Sequence, residues 1–218
     1  MNFSQHFKAY EELVQSVDKI FNQVSNEFTA EVKCKKGCSD CCHAIFDITL
    51  IEALYLNYKF NEKYEGAERE LILERANKAD RAIHKLKKEA FKEQKKGVDD
   101  LDIIANMSME RVRCPLLDDS NKCSFYKYRP LNCRIYGIPT ETGGASHICG
   151  RTGFIQGEKY PTIKIDKIYG YLYEISHDLT EKINTKFNRI GDMLMPVSMA
   201  LLTTFNEDFL GIENKIQN

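Results

Sequence analysis

The chain has 218 residues and a mass of 25.2 kDa, a size that fits one domain. Hydrophobic residues make up 43% of it and charged residues 29%, with 12 Gly and 5 Pro, which excludes collagen-like, low-complexity and globally disordered proteins. The 31 basic and 32 acidic residues give a net charge of −1, so the molecule as a whole has no general attraction for nucleic acid or an anionic membrane.

The first half of the chain carries four helical patterns. Apolar residues spaced alternately by three and four positions predict an amphipathic helix over about 7–28. The order Thr-Leu-Ile-Glu from Thr49 to Glu52 is a capping box, so a second helix is predicted to begin there. A long helix is predicted over 67–96, with Gly97 as its stop, and a short helix from Asp99.

The long predicted helix has a lysine-rich face that could suggest contact with nucleic acid. Glu89 and Glu93 interrupt the lysines, and no aromatic residue is interleaved among them. Mixed charge of this kind is typical of a solvated helix face. We therefore expect no nucleic-acid partner.

The second half of the chain predicts further helices and a few short strands. Helical spacing runs from Ile165 to Ile183, and a second series runs over 190–205, with Pro196 near a helix start. Short strands are predicted at 111–113, 124–126 and 161–165. The fold class is therefore mainly α: one domain over 1–218, a helical bundle with an irregular cysteine-rich metal-binding lobe formed by about 30–48 and 110–150.

The amino terminus has neither the basic start nor the apolar run of a secretory signal peptide. No apolar stretch approaches the roughly 18 residues that would span a bilayer. We therefore expect a cytoplasmic protein without membrane contact. In a reducing compartment the eight cysteines are expected to be metal ligands or catalytic thiols rather than disulfides.

The cysteines fall into two patches of the sequence. The first patch places four thiols within nine positions, and Gly37 lets the backbone turn tightly among them. Thiolates at such spacing suit a soft metal ion or an iron–sulfur cluster. A lone cysteine is often just a buried space-filler, but this patch is polar and unlike a core segment. The candidate metal-binding residues of the two patches are Cys34, Cys38, Cys41, Cys42, Cys114, Cys123, Cys133 and Cys149.

These motifs, taken in order, resemble the bacterial YkgJ-type cysteine-cluster proteins, which are described as zinc- or iron-chelating domains. The resemblance covers about residues 30–150. A related cysteine arrangement occurs in flagellin lysine N-methylases, but no methyl-donor site carries over. The segments that carry the resemblance are Cys34-x3-Cys38-x2-Cys41-Cys42, then Cys114-Pro-Leu-Leu, then Cys123-Ser-Phe-Tyr-Lys-Tyr-Arg129-Pro130-Leu-Asn-Cys133-Arg134.

The resemblance implies ligand roles for seven of the cysteines and, less firmly, for Cys149. It implies metal chelation, with an iron–sulfur cluster of the 4Fe-4S type or zinc as the bound group, and a redox or accessory role. It names no catalytic residue. Arginines near the second patch can stabilise thiolate charge, and Arg129 before Pro130 is expected to be extended. They are Arg111, Arg113, Arg129 and Arg134.

Two other functions fit part of the pattern. A structural zinc protein could use two four-cysteine sites and present its helices to a protein partner. The spacing from Cys34 to Cys41 also matches radical S-adenosylmethionine enzymes, but the sequence lacks the strand–helix repeats of a barrel. His43 and His147 lie beside cysteines and are left out of the ligand set, because a single histidine in a loop is more often exposed.

Overall fold

A computed structural model describes residues 2–212, and the fold it shows is mainly helical, as predicted. The strands are short and form two small sheets. The helices are α1 Ser4–Glu27, α2 Leu50–Lys63, α3 Gly66–Lys95, α4 Asp100–Met109, α5 Leu131–Ile135, α6 Ile165–Lys182, α7 Val197–Leu202 and α8 Glu207–Leu210. The strands are β1 Asp47–Thr49, β2 Thr140–Thr142, β3 Ala145–His147, β4 Ile163–Lys164 and β5 Leu194–Pro196.

The predicted opening helix is confirmed as α1. Its buried residues include Tyr10, Val17 and Val24, which recur at intervals of seven and so lie on one stripe. That stripe faces α2, α5 and α6. The hydrophobic periodicity was sufficient here because one apolar face decides how such a helix packs.

The capping box at Thr49 is confirmed, and the helix it begins, α2, is the central helix of the fold. Its residues from Leu50 to Asn57 are all buried, against α1 on one side and α6 and α7 on the others. Glu52 is 3% exposed, and its carboxylate accepts the main-chain N–H of Thr49 at 3.1 Å and that of Leu131 at 3.0 Å. Glu52 therefore fixes the first turn of α2 and the start of α5 together.

The predicted long helix is confirmed as α3, but only its first two-thirds is packed. The buried residues end at Ile83, and the remainder leads out to α4 with its lysines largely exposed. Lys87 is an exception, because its ammonium lies 2.6 and 2.7 Å from the two carboxylate oxygens of Asp47. The predicted short helix is confirmed as α4, capped by Asp99, whose side chain accepts the N–H of Leu101.

The prediction of a helix over 190–205 was wrong in its first half. Residues 190–192 form a single 3-10 turn, and 194–196 form β5, which pairs antiparallel with β1. Gly191 lies so close to His177 that an added Cβ would be 2.7 Å from its Nδ1, so the chain turns here against α6. Pro196 does precede a helix, α7, as predicted.

The predicted strands were mostly wrong. Residues 111–113 contribute one isolated bridge at Arg111, residues 124–126 lead into a 3-10 turn, and only Ile163–Lys164 of the third segment is a strand. The structure instead forms a hairpin, β2–β3, whose turn residues Gly143 and Gly144 both have positive φ. A glycine pair is a hairpin signal because both central residues of such a turn need that conformation.

Two groups of buried apolar residues make up the core. One joins α1, α2, α5 and α6, and the other joins α2, α3 and α7 with the loop around Phe125. Within residues 2–212, no helix combines the length and apolar character that crossing a membrane requires.

We predict that Glu52→Ala lowers the free energy of unfolding by about 3 kcal/mol, because two buried main-chain N–H groups lose their acceptor. Urea denaturation followed by circular dichroism would measure the change. Glu62→Ala on the same helix is the control, since its exposed ion pair with Lys59 should contribute less than about 1 kcal/mol. Equal losses in the two variants would contradict the role given to Glu52.

Candidate metal centre

Seven of the eight cysteines line one cavity of about 70 Å³ between the helices and the cysteine-rich loops. The structure therefore brings together two sets of thiols that α3 and α4 separate in sequence. All eight cysteines are free thiols. The seven that line this cavity, called here the thiol cavity, are Cys34, Cys38, Cys41, Cys42, Cys114, Cys123 and Cys133.

The first set is arranged by two consecutive tight turns. Gly37 has φ 101°, and the N–H of Cys38 donates to the carbonyl of Lys35 at 2.8 Å. Residues Asp40–Cys42 then form one turn of 3-10 helix. The left-handed conformation at Gly37 would be costly for a residue with a Cβ, so the glycine is what allows Cys34 and Cys38 to face the same cavity.

The second set is attached to the first by main-chain hydrogen bonds. The N–H of Cys114 donates to the carbonyl of Cys42 at 2.7 Å, and the N–H of Val112 donates to that of His43 at 3.0 Å. An antiparallel bridge between Leu117 and Cys123 then folds the chain back. Cys114 and Cys123 are thereby held beside the Cys41–Cys42 pair.

The seventh thiol, Cys133, is carried by the short helix α5. Arg134 on that helix is buried, and its guanidinium lies 2.6 Å from the carboxylate of Asp18 on α1 and 3.0 Å from the carbonyl of Arg129. A five-residue helix is too short to be stable alone. Glu52 at its start and Arg134 near its end therefore determine where Cys133 points.

Gly137 permits the close approach of Cys34 to the segment after α5. A Cβ added at Gly137 would lie 2.1 Å from the Cβ of Cys34 and 3.0 Å from its sulfur. Real Cβ atoms do not come this close, so no other residue fits there without moving Cys34. Nothing in the sequence near Gly137 indicated this requirement, which comes from a cysteine far away along the chain.

Crowding and burial strongly perturb the thiols. The thiol of Cys133, followed by that of Cys42, lowers the pKa of Cys41, and the thiol of Cys42 lowers the pKa of Cys123. The donating partners, Cys42 and Cys133, have raised pKa values for the same reason. The cavity therefore favours thiolates at some positions and thiols beside them.

Burial is the largest influence on the pKa values of two further cysteines, and neighbouring cysteines add to it. It raises the pKa of Cys34 to about 11 and that of Cys114 to about 12. A buried thiolate without a positive partner is costly. Full ionisation of this cavity therefore needs a cation, and a thiophilic metal ion or cluster supplies one.

Of the four arginines singled out by sequence, Arg129 has the clearest electrostatic effect on the thiols. Its guanidinium lies over the ring of Tyr126, and its charge adds to the lowering of the pKa values of Cys41 and Cys123 and partly offsets the rise in that of Cys34. Arg113 is bonded to the loop carbonyls of Leu117 and Asp118 and also lines the cavity. Arg134 is a structural cross-link, as described above, and Arg111 lies on a neighbouring cavity.

Cys149 lies outside the thiol cavity and lines that neighbouring cavity, which is much larger, at about 1190 Å³. The sulfur of Cys149 is 3.6 Å from a carboxylate oxygen of Asp40, and burial raises the pKa of the Cys149 thiol. The other oxygen of Asp40 accepts a hydrogen bond from Arg111 at 2.7 Å and forms an ion pair with the Nε of Arg151 at 3.2 Å. The sequence did not indicate that Asp40 is a buried residue that contacts Arg111, Cys149 and Arg151.

Neither histidine beside a cysteine reaches the thiol cavity. The ring of His43 lies 3.0 Å from the carbonyl of Ser39, and His147 is exposed on β3 and lines the larger cavity. The lining of the thiol cavity therefore offers sulfur as its metal-ligating chemistry.

The donor set fits a thiophilic metal in its chemistry. Among residues 2–212, no three Cys, His, Asp or Glu side chains are already arranged to hold a metal ion. The thiols would have to lose their protons to coordinate a metal. The residues are thus gathered at one place, and coordination would require their side chains to turn.

A family model described as "CxxCxxCC: Putative zinc- or iron-chelating domain" matches residues 33–150, more than half of the chain. The chain belongs to this family. The resemblance to YkgJ-type proteins is thereby confirmed, and the match spans both cysteine sets. No curated protein and no solved structure matches the chain.

This member of the family departs from the spacing that the family name spells. Three residues rather than two separate Cys34 from Cys38, whereas the remaining Cys38-x2-Cys41-Cys42 follows the name. The left-handed turn at Gly37 lies in the longer gap. The extra residue is therefore accommodated by the turn, and Cys34 still faces the cavity.

We predict that Gly137→Ala displaces Cys34 and lowers the free energy of unfolding by about 1–3 kcal/mol, the usual cost of overpacking. Urea denaturation under anaerobic, reducing conditions would measure it. Gly170→Ala is the control, because a Cβ there meets open space within α6, and alanine should stabilise the helix by up to about 1 kcal/mol. An unchanged free energy of unfolding in Gly137→Ala would contradict the close approach of Gly137 to Cys34.

Proposed function

We propose that the protein binds an iron–sulfur cluster through thiolates of the thiol cavity and serves a redox or accessory role. The observation that carries the proposal is the convergence of seven thiols from separate segments on one cavity. Zinc- or iron-chelating chemistry is what the family shares. Bound iron and sulfide would supply electron transfer, whereas this chain's residues bind, orient and shield the centre.

Two features of the lining favour a cluster over zinc. The candidate ligands are all sulfur, without the histidine that many zinc sites include. The remaining wall includes Phe21, Ile83, Leu116 and Phe125, which exclude water from one side. A dry, apolar shell limits solvent access to a bound group and tunes its properties.

A structural zinc site is the second candidate. It is favoured by the way the cavity joins the Cys34–Cys42, Cys114–Cys123 and Cys133 segments, since one tetrahedral ion could hold all three together. Cys149 is set apart from the other seven, so the division of eight cysteines into two complete four-thiol sites receives no support. The mainly helical fold also gives no support to a radical S-adenosylmethionine barrel.

We predict that anaerobically purified protein is brown, contains iron and acid-labile sulfide, and loses both in Cys41→Ser. Cys41 is central because it contacts Cys42 and Cys133, and oxygen is a poorer ligand than sulfur for such a cluster. Cys149→Ser is the matched control and should retain most of the cluster. If the protein is colourless and contains stoichiometric zinc but no sulfide, the cluster proposal is wrong and the structural zinc site takes its place.

We also predict that removal of the bound metal lowers thermal stability. The crowded thiols are gathered by folding, so metal-binding free energy stabilises the folded state. Differential scanning calorimetry before and after chelation, with metal content measured in each sample, would test this. An unchanged melting temperature after verified metal removal would contradict a metal site in this lobe.

A further inference from the structure

The larger cavity is separate from the thiol cavity but shares a wall with it. At about 1190 Å³ it exceeds the roughly 300–1,000 Å³ typical of small-molecule sites. Ala44, Ile45 and Phe46 line both cavities. The larger cavity, called here the cleft, lies between the cysteine-rich loops, the β2–β3 hairpin and the start of α6.

One end of the cleft carries unbalanced positive charge. Arg111 and Arg151 share a single carboxylate oxygen of Asp40, at 2.7 and 3.2 Å, so two guanidinium groups face one anion. Asp40 is 8% exposed, whereas the side chains of the two arginines are 45% and 67% exposed. The buried carboxylate thus holds both cations in place and leaves one positive charge over.

The two terminal nitrogens of the Arg151 guanidinium are free to bind a ligand. Its Nε forms an ion pair with Asp40, and its two terminal nitrogens have no hydrogen-bond partner among residues 2–212. These two nitrogens form the edge that binds a carboxylate or phosphate bidentately. A neighbouring opening is lined by Arg151, Lys33 and Lys35 and by no acidic residue, which adds to the positive potential here.

The two other acidic residues that line the cleft, Asp47 and Asp166, are already partnered. Asp47 is paired with Lys87, and a carboxylate oxygen of Asp166 accepts the N–H of Gly143 at 2.9 Å. Asp47 lies on β1, and Asp166 lies in the first turn of α6. Neither has a contact with Arg111 or Arg151, so the charge at the arginine end is set by Asp40.

Much of the remaining lining of the cleft is apolar and aromatic. Small-molecule sites characteristically combine such a wall with a few fixed polar groups. Asn132 donates to the hydroxyl of Tyr169, which orients that ring. The residues that form this wall include Ile135, Ile138, Ile148, Ile165, Tyr169 and Tyr173.

We propose that the cleft binds a small organic anion, with its carboxylate or phosphate head on Arg151 and Arg111 and its apolar body against the tyrosine–isoleucine wall. This binding site does not depend on the identity of the metal. The competing explanation for the arginines is that they only compensate charge in the adjacent thiol cavity. In that case their removal would affect metal retention and leave anion binding unchanged.

Titration calorimetry on the protein as purified tests the proposal. The probes are 4-phenylbutyrate, phenyl phosphate, inorganic phosphate and the neutral 4-phenylbutanamide. We expect saturable one-to-one binding of at least one aromatic anion, and affinities at least tenfold weaker for the amide and for inorganic phosphate. The better of the two aromatic anions identifies the head group as carboxylate or phosphate.

Arg151→Gln should weaken binding of that anion by about tenfold or more, because a charge-assisted bidentate contact is lost. Arg151→Lys keeps the positive charge but cannot make a bidentate contact, so it should give an intermediate loss of affinity. Arg189→Gln is the matched control, an exposed arginine whose Nε bonds Asp192, and should have no effect. Equal affinity for acid and amide, unchanged affinity in Arg151→Gln, or no saturation up to about 10 mM would each overturn the proposal.

Discussion

The fold depends on one constraint: seven thiols must be held around one small cavity. Thiols gathered this closely do not all ionise readily, because burial and neighbouring cysteines raise the pKa values of Cys34 and Cys114. Repulsion between thiolates and the desolvation of their charges would oppose full ionisation of the arrangement. The surrounding structure must therefore supply the free energy that keeps them together, and the loops alone have little regular structure with which to do so.

Three buried charged side chains connect the cysteine-bearing segments to the helical body and to one another. Glu52 joins α2 to the start of α5, Arg134 joins α5 to α1, and Asp40 joins the first cysteine set to Arg111 and Arg151. Each joins residues distant in sequence, and buried charges persist where their partners are in place. Irregular loops thereby acquire fixed positions from the rigid helices beside them.

The sequence predicted the long helices and the cysteine patches well, for different reasons. Apolar periodicity determines α1 and α3, and local side-chain chemistry determines the capping box at Thr49. The strand pair β1–β5 was missed because three-residue strands are too short to show alternation, and their pairing depends on chain far away. Asp40 and Gly137 could not be found for a related reason, since their roles are defined by Arg111, Arg151 and Cys34.

The segment from Asp40 to Phe46 serves both cavities at once. Cys41 and Cys42 face the thiol cavity, Asp40 fixes the arginines of the cleft, and the next residues form the common wall. A change in the position of this segment must therefore alter both sites, because protein interiors are close-packed and transmit displacement. If a ligand in the cleft changes the affinity of the thiol cavity for metal, then bound metal changes the affinity of the cleft for that ligand by the same factor. The short 3-10 turn is one element that links the two sites, and α5 is another, because its Cys133 lines the thiol cavity and its Asn132 and Ile135 line the cleft.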